Sequence, residues 1–125
     1  SSSSLPQGNH LFPQLVEAVF ELESNLSLQR ITNVDIDGVI LPTSSNNTNT
    51  RRPPSSCCAI NCCAQFTPHV DSGRGEGQTR SMIVGLGDYK QGEIIIEGNA
   101  HDCRYVPLEF DGWSSRHWTN HYHGE

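Results

Sequence analysis

A mainly β fold, a sandwich or barrel with one helical flank, is what the 125-residue sequence predicts, and three observations carry it. A single stretch near the N-terminus has the apolar period of a helix. From Ile31 onward the apolar residues fall instead into short runs. Glycine-rich and polar turn formers separate those runs.

LFPQLVEAVFELESNL (11–26) places Leu15, Val16, Val19, Phe20 and Leu22 at helical spacing, with Glu17, Glu21 and Glu23 on the other side. Pro13 suits a first-turn position, where its missing N–H costs nothing. ITNVDIDGVIL (31–41) alternates in its middle and reads as the first strand. CCAINCCAQF (57–66) reads as a buried cysteine-rich strand in which Cys acts as a small apolar residue. SMIVGL (81–86), GEIIIEG (92–98), RYVPLEF (104–110) and RHWTNHYH (116–123) complete the strand set, with GRGEG, GDYKQG, EGNAHD and DGWSS as the turns between.

Only 34% of the residues are hydrophobic and the net charge is -6. Much of the polar excess lies in residues 1–10, expected to be disordered, and in the insert 43–56, since neither can bury enough apolar surface to offset the entropy of ordering. A single incomplete domain over 11–125 is the expected organisation. No apolar run reaches the roughly 20 residues of a membrane helix. The acidic balance and the lack of a clear basic patch argue against broad nucleic-acid affinity. Asn25-Leu-Ser and Asn46-Asn-Thr match glycosylation sequons, but no secretory signal accompanies them. Five cysteines, an odd number with four clustered in CCAINCC, favour a reducing cytoplasm or nucleus over a disulfide framework.

In TPHVDSG (67–73), His69 and Asp71 project to the same side of an extended chain and can share one metal ion if a third ligand arrives from elsewhere. Two imidazoles and one carboxylate on one face of an octahedron leave three positions open for a cosubstrate and dioxygen, the arrangement of non-haem Fe(II) oxygenases. Alone, the pair is a weak signal and reads rather as a loop histidine capped by a carboxylate.

From Asn61 to Glu125 the chain resembles the Fe(II)/2-oxoglutarate-dependent dioxygenases of the double-stranded β-helix, or jelly-roll, fold. AINCCAQFTPHVD looks like the family's second core strand ending in its H-x-D. SMIVGLGDYKQGEIIIEG looks like the third and fourth strands, and RYVPLEFDGWSSRHWTNHYHGE like the fifth to seventh. The resemblance makes Ile31–Leu41 the first core strand. It implies iron held by His69, Asp71 and His117, the last on a seventh strand that pairs with the second. It also implies 2-oxoglutarate as cosubstrate and hydroxylation or oxidative demethylation of an unidentified substrate. The family's arginine anchor for 2-oxoglutarate is expected beyond Glu125 with the eighth strand. The chain is therefore expected to be a fragment, with a gap between its first and third strands. An inactive jelly-roll remnant that serves as a metal-binding or interaction module is the alternative.

His101 is expected in a turn, and His121 and His123 follow on the presumed strand of His117. Arg80 and Arg116 are the internal alternatives as cosubstrate anchor. Cys58-x3-Cys62 and His117-x3-His121 each have zinc-ligand spacing, although they lie too far apart for a finger. GRGEG (73–77) lacks the Lys-Ser or Lys-Thr of a phosphate loop and reads as a flexible loop over the iron. Trp113 and Trp118 read as packing residues, and Asp88, Asp102, Glu109 and Asp111 as solvated turn residues.

Overall fold

The periodic stretch at the N-terminus is helical. In the computed structural model, which describes residues 7–42, 55, 58–71 and 80–124, α2 spans Pro13–Ser27 with proline in its first turn, and α1 (Gln7–Leu11) precedes it. The described residues divide between two compact units, one containing the helices with residues 55 and 58–60, the other residues 31–42, 61–71 and 80–124. In the helical unit Leu26 is buried, and Glu23 Oε1 accepts a 2.7 Å hydrogen bond from the Ser55 N–H.

The second unit is mainly β. Its strands are β1 (Thr32–Asn33), β2 (Ser81–Ile83), β3 (Tyr89–Gln91), β4 (Ile94–Ile96), β5 (Asn99–His101), β6 (Leu108–Phe110), β7 (His117–Thr119) and β8 (Tyr122–Gly124). They form three small sheets of order β1-β6-β2, β5-β4-β7 and β3-β8, and no closed barrel forms among the described residues. Val34, Ile94, Ile96, Cys103, Leu108 and Phe110 make the core, with Ile83 packed against it. Each fully buried Val, Ile, Leu or Phe side chain contributes on the order of 1.5–3 kcal/mol. The alternation in β4 and β6, where the outer two residues are buried and the middle one is half-exposed, is the pleat of a sheet covered on one face.

Several elements depart from the sequence expectation. Ile31–Leu41 is not one strand. After β1 the chain turns back so that Val34 bridges Ile40, because Asp35 Oδ1 accepts the N–H groups of Asp37 and Val39, both at 2.9 Å, and Gly38 takes φ +82. Gly38 packs so closely on β4 that a Cβ there would lie 2.0 Å from the Ile96 carbonyl oxygen. The first and third expected strands do not flank a gap either, because β6 lies between β1 and β2, parallel to one and antiparallel to the other. EGNAHD is a turn only at Glu97 and Gly98, whose positive φ values of 49 and 87 make a two-residue hairpin loop. His101 therefore lies in β5, buried, with Nε2 2.8 Å from the Gly38 carbonyl oxygen.

The cysteine-rich stretch is also different. Cys58, Cys62 and Cys63 are exposed, and the described residues from 58 to 68 form no strand. Pairing begins only at Phe66, whose N–H donates to Thr119 Oγ1 at 2.7 Å, and reaches a β-bridge at His69. RHWTNHYH is broken at Asn120 and His121 into β7 and β8. The same antiparallel register runs through both halves, Ile94 opposite Thr119 and Tyr89 opposite Gly124. Gln91 and Gly92, at φ 62 and 71, bend the partner strand at this point. No helix among the described residues is long and apolar enough to cross a membrane.

Candidate metal centre

His69, Asp71 and His117 converge. One ligand atom from each lies within 4.8 Å of the others. Asp71 Oδ1 is 3.5 Å from His69 Nε2 and 3.4 Å from His117 Nε2. Backbone pairing produces this meeting: the His69 N–H donates to the His117 carbonyl at 3.1 Å, and the His117 N–H to the His69 carbonyl at 2.9 Å. The two rings then lie with centroids 4.4 Å apart. Asp71, two residues on, returns to the same side of the chain, and its own N–H is fixed to the Gly112 carbonyl at 2.8 Å.

The second ring nitrogens decide what the cluster can hold. His69 Nδ1 lies 2.7 Å from the Thr67 carbonyl oxygen and His117 Nδ1 2.9 Å from that of Ser115. A carbonyl only accepts, so each Nδ1 carries a proton and a neutral ring keeps its Nε2 lone pair. Two lone pairs and a carboxylate oxygen then face one another, an arrangement that repels unless a cation sits between them. This is the outer-shell pattern that orients histidine ligands on metals.

The spacing agrees. With metal–ligand bonds of about 2.1 Å, two ligand atoms lie about 3.0 Å apart at 90° and about 3.4 Å apart at the tetrahedral angle. Separations of 3.4 and 3.5 Å are long for a direct N–H···O hydrogen bond and suit an ion between the groups. The group can therefore hold a metal ion. Its donor chemistry, two imidazoles and one carboxylate, suits a divalent transition metal.

The surroundings are asymmetric. The His117 side chain is 8% exposed, with the Phe110 ring edge-on at 4.9 Å, whereas His69 and Asp71 are 39% and 33% exposed. One side of the centre is thus seated on the core and the other opens to solvent. Asp71 Oδ2 packs on the backbone of Gly112, where a Cβ would come within 2.1 Å of it. The sequence reading did not single out Gly112; the DGWSS turn signal marks a bend there but not this contact.

The other weighed residues lie elsewhere. His121 and His123 are exposed and outside the cluster, because the chain bends after β7. Arg80 is committed: it donates to the Val34 and Glu109 carbonyls, both at 2.8 Å, and its Nε is 3.0 Å from Glu109 Oε1. Glu109 is therefore a half-buried ion-pair partner on β6 rather than a solvated turn residue. Arg116 is exposed, and its backbone N–H bonds Glu97 Oε1 at 2.6 Å. Asp111 Oδ1 caps its turn by accepting the N–H groups of Trp113 and Ser114, and Asp102 accepts that of Arg104. Trp113 and Trp118 are half-buried. The GRGEG loop, Cys57 and nearly all of the polar insert fall outside the described residues. Comparison of the chain with protein-family models, with curated proteins and with solved structures finds no match.

Proposed function

We propose that this chain is an Fe(II)- and 2-oxoglutarate-dependent dioxygenase domain on a jelly-roll scaffold, hydroxylating or oxidatively demethylating a substrate. The observation that carries the reading is the His69–Asp71–His117 cluster with both Nδ1 atoms turned to carbonyls and both Nε2 atoms turned to the carboxylate. The reciprocal backbone pairing of His69 with His117 supports the scaffold, since the resemblance calls for the H-x-D strand to lie beside the distal-histidine strand. When bound, iron(II) with 2-oxoglutarate and dioxygen would supply oxidative decarboxylation to succinate and CO2 coupled to oxidation of a substrate C–H bond.

The chain's own contribution is positional. His69 and His117 each present an unprotonated Nε2, held in that tautomer by Thr67 and Ser115. Asp71 supplies one negative charge, which offsets part of a divalent charge and leaves the rest for anionic cosubstrate. Burial of His117 against Phe110 fixes one ligand rigidly, while the exposed flank at His69 and Asp71 gives cosubstrate and substrate a way in.

A second reading, a module that holds metal or a partner without 2-oxoglutarate turnover, is favoured by one observation. Arg80, an internal alternative for the cosubstrate anchor, is tied up by Val34 and Glu109. Anaerobic titration separates the two. Fe(II) should bind with one-to-one stoichiometry, and 2-oxoglutarate should then raise the weak visible charge-transfer band of the ternary complex. His69→Ala, Asp71→Ala and His117→Ala should each weaken metal binding by more than about 100-fold, since even outer-shell changes cost 10–100-fold. Metal binding without the band selects the second reading, and no metal binding by a folded chain sinks both.

A further inference from the structure

CCAINCC was expected to be buried, and its exposure leaves the thiols of Cys62 and Cys63 in contact with solvent and with each other. Successive side chains of an extended chain point to opposite sides. Here Cys63 adopts φ 53, a left-handed conformation that is strained for a non-glycine residue. The alternation is broken and the two Sγ atoms lie 3.7 Å apart.

We infer that Cys62 and Cys63 form a redox-modification site, a vicinal dithiol that closes to an intramolecular disulfide under peroxide. One thiolate attacks the peroxide O–O bond; its sulfur takes one oxygen as a sulfenic acid, and the other oxygen leaves as water or alcohol after taking a proton. The neighbouring thiol then attacks the sulfenic sulfur, the S–S bond forms, and the sulfenic oxygen leaves as water. Two thiols and one hydrogen peroxide give one disulfide and two waters.

Neighbouring Cα atoms are about 3.8 Å apart across a trans peptide, below the roughly 4.4–6.8 Å that disulfides prefer. The ring closed here is therefore strained, and strained disulfides are the easily reduced ones. The site should open again under mild reductant, as a reversible modification requires.

All four thiols of the cluster lie between Arg52 and Arg74, so one tryptic peptide carries them all and cannot assign the pair. The test therefore uses the 125-residue chain with Cys57→Ser and Cys58→Ser, alongside the wild type analysed by gas-phase fragmentation. Under hydrogen peroxide the double variant should lose two titratable thiols and two hydrogens in mass, form no disulfide between chains, and recover both thiols with dithiothreitol. Adding Cys62→Ser or Cys63→Ser should abolish the pairwise loss. Disulfide-linked dimers or sulfinic acid as the main product would overturn the assignment. So would fragments of the wild type that pair either sulfur with Cys57 or Cys58.

Discussion

Asp71 is held in place by a residue with no side chain. Gly112 accepts its N–H and lies against its Oδ2, and a methyl group there would meet that oxygen at 2.1 Å. The contact is steric, and the carboxylate rather than the backbone has to yield. Gly112→Ala should rotate Oδ1 away from His69 and His117 and weaken metal binding by about 10–100-fold, the usual cost of disturbing the groups around a ligand. Cobalt(II) titration followed by absorbance measures it, with circular dichroism to show that the β unit is intact. Unchanged affinity would mean that Oδ2 swings freely and that Gly112 has no part in the centre.

Among the elements, the break between β7 and β8 does most to shape the centre's surroundings. Had RHWTNHYH run straight, period-two alternation would have put His121 and His123 on the face of His117. Instead Gly92, at φ 71, lets the partner strand bend while the Gly92 N–H still reaches the His121 carbonyl at 2.8 Å. A Cβ on Gly92 would lie 2.9 Å from the Tyr122 Cβ, whereas one on Gly98, also left-handed, would meet nothing within 4 Å. Gly98→Ala should therefore cost only the left-handed backbone term, about 1–2 kcal/mol. Gly92→Ala should cost distinctly more, as lost stability in urea unfolding. Equal costs would show that the β3–β8 ladder yields freely and that the bend is not fixed by packing.

At the scale of the whole β unit, the core contains a titratable group. Cys103 is buried beside Ile94, Ile96, Leu108 and Phe110, and burial pushes its thiol above the ordinary value of 9.0, with the charge of Asp102 adding to the rise. The unfolded chain therefore gives up this proton first as pH increases. Above that value the unfolded state binds fewer protons than the folded state, so stability falls with rising pH. The contribution is fully present at neutral pH and declines above about pH 9. Urea midpoints between neutral pH and pH 10 should fall, and Cys103→Ala should flatten that slope while lowering stability at every pH. Tyr89, whose phenol is also raised mainly by burial, adds its own decline only above its higher ordinary value of 10.0. An unchanged slope in the variant would mean that the thiol is hydrated in the folded state.

The sequence by itself determined the elements whose pattern is local. The α2 period, the strands at Ile94–Ile96 and Leu108–Phe110, and the turn formers between strands are written in neighbouring residues, and so is the same-side geometry of His69 and Asp71. His117 is another matter: it lies 117 − 71 = 46 residues beyond Asp71, and no spacing rule reaches that far. Family resemblance alone pointed to it. Only the tertiary structure decided what depends on long-range contact. The backbone pairing of His69 with His117 sets the ligand distances. The turn at Gly38 finds its seat on β4. Arg80 goes to Glu109 and two carbonyls. The cysteines stand exposed because the pairing of their segment begins only at Phe66, and apolar composition cannot tell a run that finds a partner from one that does not.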